Sequence, residues 1–315
     1  MRVGIIGFGR AGRARFRALT SLGVTVERIA SSRAPLLLKE FSGVESPLAS
    51  PDRWTAEWRE LIADPNLECV LICSENHLHE RQARAALEAG KHVCVEFPLA
   101  TTAARASSLW RLAQARNQCL HVEVIGSLTA KHRWAQRMAR NSSVSAWFSH
   151  FTGGLYRWVE RAAQDRLTPL LAFGRLYQAI DLFGPLTLND ASLSTNLGRG
   201  AQDASPPHYL LKMTFESAAG VTVTLREERG VTRSRASKIT LHDLRGDELK
   251  PEPLACDQPQ RPLFELDLCH FLAQTGARQF STIPDYAPSE TLMLTHQLCD
   301  QVTRYLRGLL CEDLL

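Results

Sequence analysis

The residues with the clearest chemical spacing stand at the start of the chain. Val3-Gly4-Ile5-Ile6 is an apolar strand, and Gly7-Phe8-Gly9-Arg10-Ala11-Gly12 follows it as a G-x-G-x-x-G turn. In this pattern the first glycine makes a tight turn. The second lets a pyrophosphate approach the backbone, and the third lets the next helix pack against the strand. The helix N-terminus then offers free N–H groups and a positive dipole end to phosphate. With a strand before it and a helix after it, the segment marks a dinucleotide site, and Gly7, Phe8, Gly9, Arg10, Ala11 and Gly12 are its candidate contacts.

A second apolar run, residues 24–30, ends in Ser31-Ser32-Arg33. A site selective for NAD places a carboxylate here for the ribose 2′-hydroxyl. Two hydroxyls and a guanidinium suit a 2′-phosphate instead, so Ser31, Ser32 and Arg33 favour NADPH over NADH. The plainer alternative is an ordinary turn before Pro35.

The elements that must position these residues alternate up to about residue 124. Strand candidates are residues 2–6, 24–30, 69–73, 92–96 and 119–124, with helices at 80–89 and 102–115 between them. Such alternation with short links specifies a parallel doubly wound sheet, whose ligands bind at the carboxyl ends of the strands. Residues 7–12, 74–79 and 97–99 all follow strands, so they should converge. From about residue 143 the pattern changes. Residues 144–151, 208–215, 221–226 and 238–242 are strand-like, and the last three are joined by turn-rich pieces that suggest an antiparallel meander. Residues 195–207 suggest a surface loop, and 288–310 carry leucines at helical spacing. The expected architecture is an α/β Rossmann domain, 1–124, followed by an α+β domain, 125–315, with a large, mostly antiparallel open sheet and a C-terminal helix.

Composition narrows the function classes. The chain has 315 residues, 44% hydrophobic, with a net charge of +4. The excess is mild and contains no basic run, so it favours anionic ligands without pointing to nucleic acid. No apolar stretch is long enough to span a membrane. Several of the eight cysteines sit in apolar strand-like runs, and they suggest reduced core thiols rather than a disulfide framework. With an opening that enters a strand at once, they suggest a cytoplasmic protein. His296, Cys299 and Cys311 match no standard zinc spacing, so no metal is expected.

Three segments together resemble the Gfo/Idh/MocA oxidoreductases. They are Gly7–Gly12, then Cys73-Ser74-Glu75-Asn76-His77-Leu78-His79-Glu80, then Ala89-Gly90-Lys91-His92-Val93-Cys94-Val95-Glu96-Phe97-Pro98-Leu99-Ala100. Most of that family carries Glu-Lys-Pro, whose lysine serves catalysis at a sugar carbon. Here the tripeptide is Glu96-Phe97-Pro98, and Phe97 can neither take nor give a proton. An aromatic residue at this place is similar to the biliverdin reductases, which usually have Glu-Tyr-Pro. Leu120-His121-Val122-Glu123, Gly174-Arg175-Leu176 before Asp181-Leu182-Phe183-Gly184, and Glu227-Glu228-Arg229-Gly230 with Arg233 and Arg235 extend that similarity. Val124 and Gly126 depart from it, standing where those proteins often have His and Glu.

The resemblance implies NADPH-dependent hydride transfer to the central methine carbon of biliverdin. The protein would supply position and electrostatics for chemistry carried by the cofactor. The implied catalytic residues are Arg175, Glu96, Phe97 and Glu123. Ser74, Asn76, His79 and Glu96 join the implied cofactor contacts. Phe97 and Leu99 could line an apolar slot. Arg175 is too basic to donate a proton, so a polarising or ordering role falls to it, with water as a proton source. Arg229, Arg233 and Arg235 suit a solvated edge strand or, alternatively, propionate attraction. Reduction of another conjugated or imine substrate, and non-catalytic sensing of NADP, stay open beside this reading. A monomer or weak dimer is expected.

Overall fold

Runs of valine, isoleucine, leucine and cysteine form the first sheet, because helices cover both its faces and leave no solvated face to impose alternation. In the computed structural model, residues 1–41, 47–141, 144–155, 159–160, 168–195, 208–230, 234–251 and 259–312 are described. The first sheet holds β1 (Arg2–Ile6), β2 (Thr25–Ala30), β3 (Trp54–Thr55), β4 (Cys69–Ile72), β5 (His92–Val95) and β6 (Leu120–Val122). Its order is β3-β2-β1-β4-β5-β6, with every pair parallel. Connecting helices are α1 (Arg10–Ser21), α2 (Ala34–Phe41), α3 (Trp58–Ala63), α4 (Asn76–Glu88) and α5 (Ala103–Ala115). The two-residue β3 escaped the sequence reading, being too short to show a period. Helix α4 begins four residues before the expected segment 80–89.

Two compact units emerge. Unit 1 is Met1–Ile125 with Gln260–Ala287, and unit 2 is Gly126–Pro259 with Pro288–Leu315. The sequence reading gave all of 125–315 to the second domain. Instead, helix α8 (Leu263–Gln274) returns to the Rossmann core. Its Leu268, Phe271 and Leu272 are fully buried in one cluster with Ile5, Ile29 and Leu71. Burying each such side chain contributes roughly 1.5–3 kcal/mol, which periodicity alone does not assign to one domain or the other.

Unit 2 is built on a sheet in the order β12-β11-β7-β10-β9-β8. Its strands are β7 (Val144–Gly154), β8 (Leu186–Thr195), β9 (Tyr209–Ser217), β10 (Thr222–Gly230), β11 (Ala236–Asp243) and β12 (Glu248–Leu249). The β9–β10 hairpin forms as expected, but β11 does not extend it. Strand β7 lies between them, parallel to β10 and antiparallel to β11, so the sheet is mixed and the meander reading is corrected. A hairpin signal is local; the place of β7 depends on pairings across some 75 to 100 residues of chain, which turn chemistry does not encode. Helices α6 (Ala130–Asn141), α7 (Phe173–Phe183) and α9 (Ser289–Glu312) belong to the same unit. The suggested loop at 195–207 falls almost wholly outside the described residues. Among the described residues, no helix is long and apolar enough to cross a membrane.

Candidate active site

The glycine-rich turn has the geometry its spacing requires. Gly7 has φ +89°, donates its N–H to Ala30 O at 2.8 Å, and has room for no Cβ, which would lie 2.5 Å from Cys73 O. A Cβ on Gly12 would collide with Gly7 O. A Cβ on Gly9 would meet nothing within 4 Å, so the space beside it is open. Helix α1 starts there with no side-chain cap and no acid in its first turn. Free donors beside open space, with no competing carboxylate, fit a pyrophosphate. The Phe8 side chain is not part of that surface; it is buried edge-on to Trp54 at 5.2 Å and to Phe16 at 5.9 Å. Arg10 is exposed at the first position of α1, with Ala11 beside it.

After β2, Ser31 donates its N–H to Thr55 O at 2.9 Å, and its Oγ accepts from Arg33 N at 3.3 Å. Ser32 and Arg33 are exposed. The same three residues thus form an ordered turn and leave a hydroxyl and a guanidinium facing water.

The three loops expected to converge do meet. His79 on α4 is fully buried, with Nδ1 2.9 Å from Pro98 O and Nε2 3.1 Å from Ser74 O. Burial pushes its pKa down, so the neutral ring donates to one of these carbonyls. His79 therefore clamps the loop after β4 to the turn after β5, and its ring nitrogens are not turned to a cofactor. Ser74 Oγ donates to Gln82 Oε1 at 2.5 Å, and Asn76 opens α4, half-buried. Phe97, half-buried, precedes Pro98 through a cis peptide bond. Leu99 is fully buried, so it belongs to the core and does not line an open slot.

Parallel register explains what lies behind Phe97. Ile72 pairs with Val95 and Val95 with Val122, so the next residues, Cys73, Glu96 and Glu123, form a row across the carboxyl ends of three strands. One pleat below, Leu71, Cys94 and His121 form a second row on the same face. Arg15 of α1 packs against this face with 1% of its side chain exposed. Its Nε donates to Glu96 Oε1 at 3.0 Å, and its Nη1 to Asp267 of α8. Asp267 also accepts from His121 Nε2 at 2.7 Å and from the Tyr286 hydroxyl at 2.5 Å. Burial opposes the Arg15 charge, yet Asp267 and the neighbouring acids outweigh it and push its pKa up. Burial also opposes the Asp267 charge, but Arg15 and His121 hold its carboxyl well below the usual range. Glu123 goes the other way. It is 2% exposed, and burial, then the charge of Glu96, push its carboxyl well above the usual range. Its Oε1 accepts from Ile125 N at 2.8 Å.

Unit 2 holds a second arginine cluster of opposite balance. Along β10, Val223, Leu225, Glu227 and Arg229 alternate onto the buried face of the sheet. Glu227 lies opposite Phe151 of β7, and Arg229 opposite Gly153, where a Cβ would press 2.8 Å from the Phe151 ring. Arg175, in the first turn of α7, and Arg229 both set their guanidinium carbon 4.6 Å from the Phe151 centroid, and Arg235 lies 5.5 Å from it. Glu227 is the carboxylate they share: it accepts from Arg229 Nε at 2.6 Å and pairs with Arg175. Burial, then the neighbouring Arg229, push the Arg175 guanidinium down to about 9, which leaves it cationic at neutral pH. Arg229 is therefore not on a solvated edge. Strand β10 lies between β7 and β9, and Arg229 is 5% exposed. Arg235 is exposed, and Arg233 falls outside the described residues.

Sequence reasoning missed Arg15, Asp267, Tyr286, Phe151 and Glu227 as site residues. Two carried a signal. Arg15 is in phase with buried Gly12, Ala18 and Leu19, and Glu227 is in phase with Val223 and Leu225. Asp267 reaches the site only through the long-range return of α8.

Comparison with known proteins agrees with this geometry. Residues 1–124 match the model of the Gfo/Idh/MocA oxidoreductase family, NAD-binding Rossmann fold. The chain is 29% identical to human biliverdin reductase A over 245 residues, which is 76% of this chain and 74% of that protein. Its fold is that of the Synechocystis sp. PCC 6803 biliverdin reductase solved with biliverdin and NADP+, at TM-score 0.73 and 24% identity over 97% of this chain and 98% of that one. A putative myo-inositol dehydrogenase from Sinorhizobium meliloti 1021 shares the fold equally, at TM-score 0.74 and 15% identity over 98% of each chain. This chain is thus an oxidoreductase with an NAD(P)-binding Rossmann fold, and its residues 1–124 are a Gfo/Idh/MocA-family domain.

Proposed function

We propose that this protein uses NADPH to reduce a linear tetrapyrrole, converting biliverdin to bilirubin. The observation that carries the reading is the unit 2 cluster, in which Arg175, Arg229 and Arg235 lie around Phe151 and, among the described residues, Glu227 pairs with Arg175 and Arg229. A conjugated substrate with two propionates suits surplus guanidinium charge beside an aromatic ring. Phe97 supports the same reading from unit 1. It puts a ring where a sugar dehydrogenase needs a group to exchange the alcohol proton. The likeness to human biliverdin reductase A adds weight.

Bound at the Gly7–Gly12 turn, NADPH supplies the hydride. Gly9 and the N-terminus of α1 hold the pyrophosphate, and Ser31, Ser32 and Arg33 take the 2′-phosphate, which sets the preference over NADH. Phe97 offers an apolar face, and Glu96 at the end of β5 orients the reacting end of the cofactor. Arg175 orders the substrate through a propionate or a lactam oxygen. The reaction adds the hydride to the central methine carbon and one proton to a pyrrole nitrogen; water delivers that proton, and in unit 1 the buried Glu123 carboxyl is the group that holds one.

The test mixes protein, NADPH and biliverdin and follows the visible spectrum. A bilirubin band that rises as NADPH is consumed supports the proposal. A bilin spectral shift without turnover makes the protein a binder of both molecules. Absence of binding and turnover refutes the tetrapyrrole reading and leaves the oxidoreductase fold with another substrate.

A further inference from the structure

We propose that Arg15, anchored by Asp267, is a positioning residue that holds the Glu96 carboxylate at the end of β5 and thereby assigns the proton of the Glu96–Glu123 pair to Glu123. The inference rests on the reading above for the use of that proton, but not for its location.

The geometry is unusually constrained for an arginine so close to a cofactor loop. Arg15 leaves α1 on the buried side of the helix, and its fork spans two carboxylates from different parts of the chain: Glu96 at 3.0 Å and Asp267 of α8. Asp267 cannot swing away, because His121 and Tyr286 both donate to it from other sides. The Arg15 guanidinium is therefore fixed at one end, and Glu96 is fixed through it. Glu96 keeps 18% of its side chain exposed, whereas Glu123 beside it keeps almost none. Of two adjacent carboxyls, the one bound to a cation and touching solvent carries the charge, and the buried one carries the proton. The remaining groups on this face reinforce the order. Cys73 and Cys94 have thiol pKa values pushed up by burial, so they stay neutral, and Tyr286 is pushed up likewise. On α8, burial and then the neighbouring His121 push the His270 imidazole down to about 4, so His270 adds no cation near Glu123 at neutral pH.

A fork that bridges two carboxylates is not replaced by a point charge. Arg15→Lys keeps the cation but releases the orientation of Glu96. It should lower kcat about tenfold, the scale of a sub-ångström misplacement, with the KM for NADPH nearly unchanged.

The direct readout is infrared spectroscopy of the full-length protein labelled with 13C-glutamate, without cofactor or substrate. The wild type should show a protonated glutamic acid carbonyl band at pH 7 that Glu123→Gln abolishes. Removing either negative charge near Glu123, by Glu96→Gln or Asp267→Asn, leaves Arg15 less neutralised and should move loss of the band to lower pH by at least one unit. Arg15→Lys should keep the band. If Asp267→Asn does not fold, Glu96→Gln carries the test, since that side chain is partly exposed. A wild type without the band, a band that survives Glu123→Gln, or a midpoint unmoved in the folded charge variants overturns the inference. So does a kcat unchanged in Arg15→Lys. Because the infrared experiment contains no bilin, failure of biliverdin turnover beside the expected infrared pattern would refute the substrate reading alone.

Discussion

Two arginines at the two candidate sites meet opposite fates. Arg15 in unit 1 is ringed by Asp267, Glu96 and Glu123, and its pKa is pushed up. Arg175 in unit 2 shares Glu227 with Arg229 and lies near Arg235, and burial, then Arg229, push its pKa down to about 9. Both are held by buried carboxylates, yet the local sums differ. In unit 1 the Arg15 charge is directed inward, onto Glu96 and Asp267. In unit 2, among the described residues, Arg175 and Arg229 share the single carboxylate Glu227 beside Phe151, with Arg235 near the same ring. The contrast bears on the proposed function: an arginine cluster that shares one carboxylate beside a ring is the better candidate for an anionic, conjugated ligand than an arginine bridging two acids.

The comparison breaks most visibly by removing the anchor in unit 1. Asp267→Leu leaves Arg15, His121 and Tyr286 without their common acceptor. It should cost about 3–5 kcal/mol, read as a lowered midpoint in urea unfolding. An unchanged midpoint would mean the ring of acids is not what holds Arg15. Arg175→Ala should do the reverse in unit 2. Glu227 keeps its bond to Arg229, so stability falls little, while biliverdin affinity drops ten- to a hundredfold, the scale of a lost charged hydrogen bond of about 1.5–3 kcal/mol. Equal bilin affinity in a titration would remove Arg175 from the binding surface.

A cofactor variant sharpens the same contrast by testing the one exposed cation assigned a ligand in unit 1. Arg33→Glu should weaken NADPH binding about tenfold and leave NADH nearly untouched, measured by nicotinamide fluorescence. If both weaken together, Ser31–Arg33 is a turn and nothing more. The smallest effect concerns a buried cation that never forms. His296 on α9 is 1% exposed, has no hydrogen-bond partner on either ring nitrogen among the described residues, and is pushed down to about 3 by burial. Its folded pKa is depressed below the unfolded value. The stability it contributes is therefore present above about pH 6.5 and lost as pH falls toward 3. His296→Leu should narrow the gap between thermal midpoints at pH 7.5 and pH 5 by a few degrees.

The sequence made the Rossmann half legible because its signals are local. The glycine spacing, the strand before it and the missing acid after β2 each lie within a few residues. The second sheet was legible as strands but not as an order, since β7 enters between β10 and β11 through distant pairing. Segment Gln260–Ala287 was hidden for the same reason: α8 is apolar on most sides and shows no preference for either unit until it packs. At the site, residue types were visible and their sums were not. Arg175 stood out by its type, but Arg229 looked like a solvated edge charge until the pleat placed it, with Glu227, beside Val223 and Leu225. His79 looked like a cofactor contact and is a clamp between loops.

The central proposal is that the arginine cluster of unit 2 recognises an acidic, conjugated substrate. Its most direct test titrates the NADP+-loaded protein with biliverdin and with biliverdin dimethyl ester, which keeps the conjugated rings and loses both carboxylates. The account predicts that the ester binds at least tenfold more weakly and that added salt weakens biliverdin alone. Equal affinity for acid and ester, unmoved by salt, would contradict it.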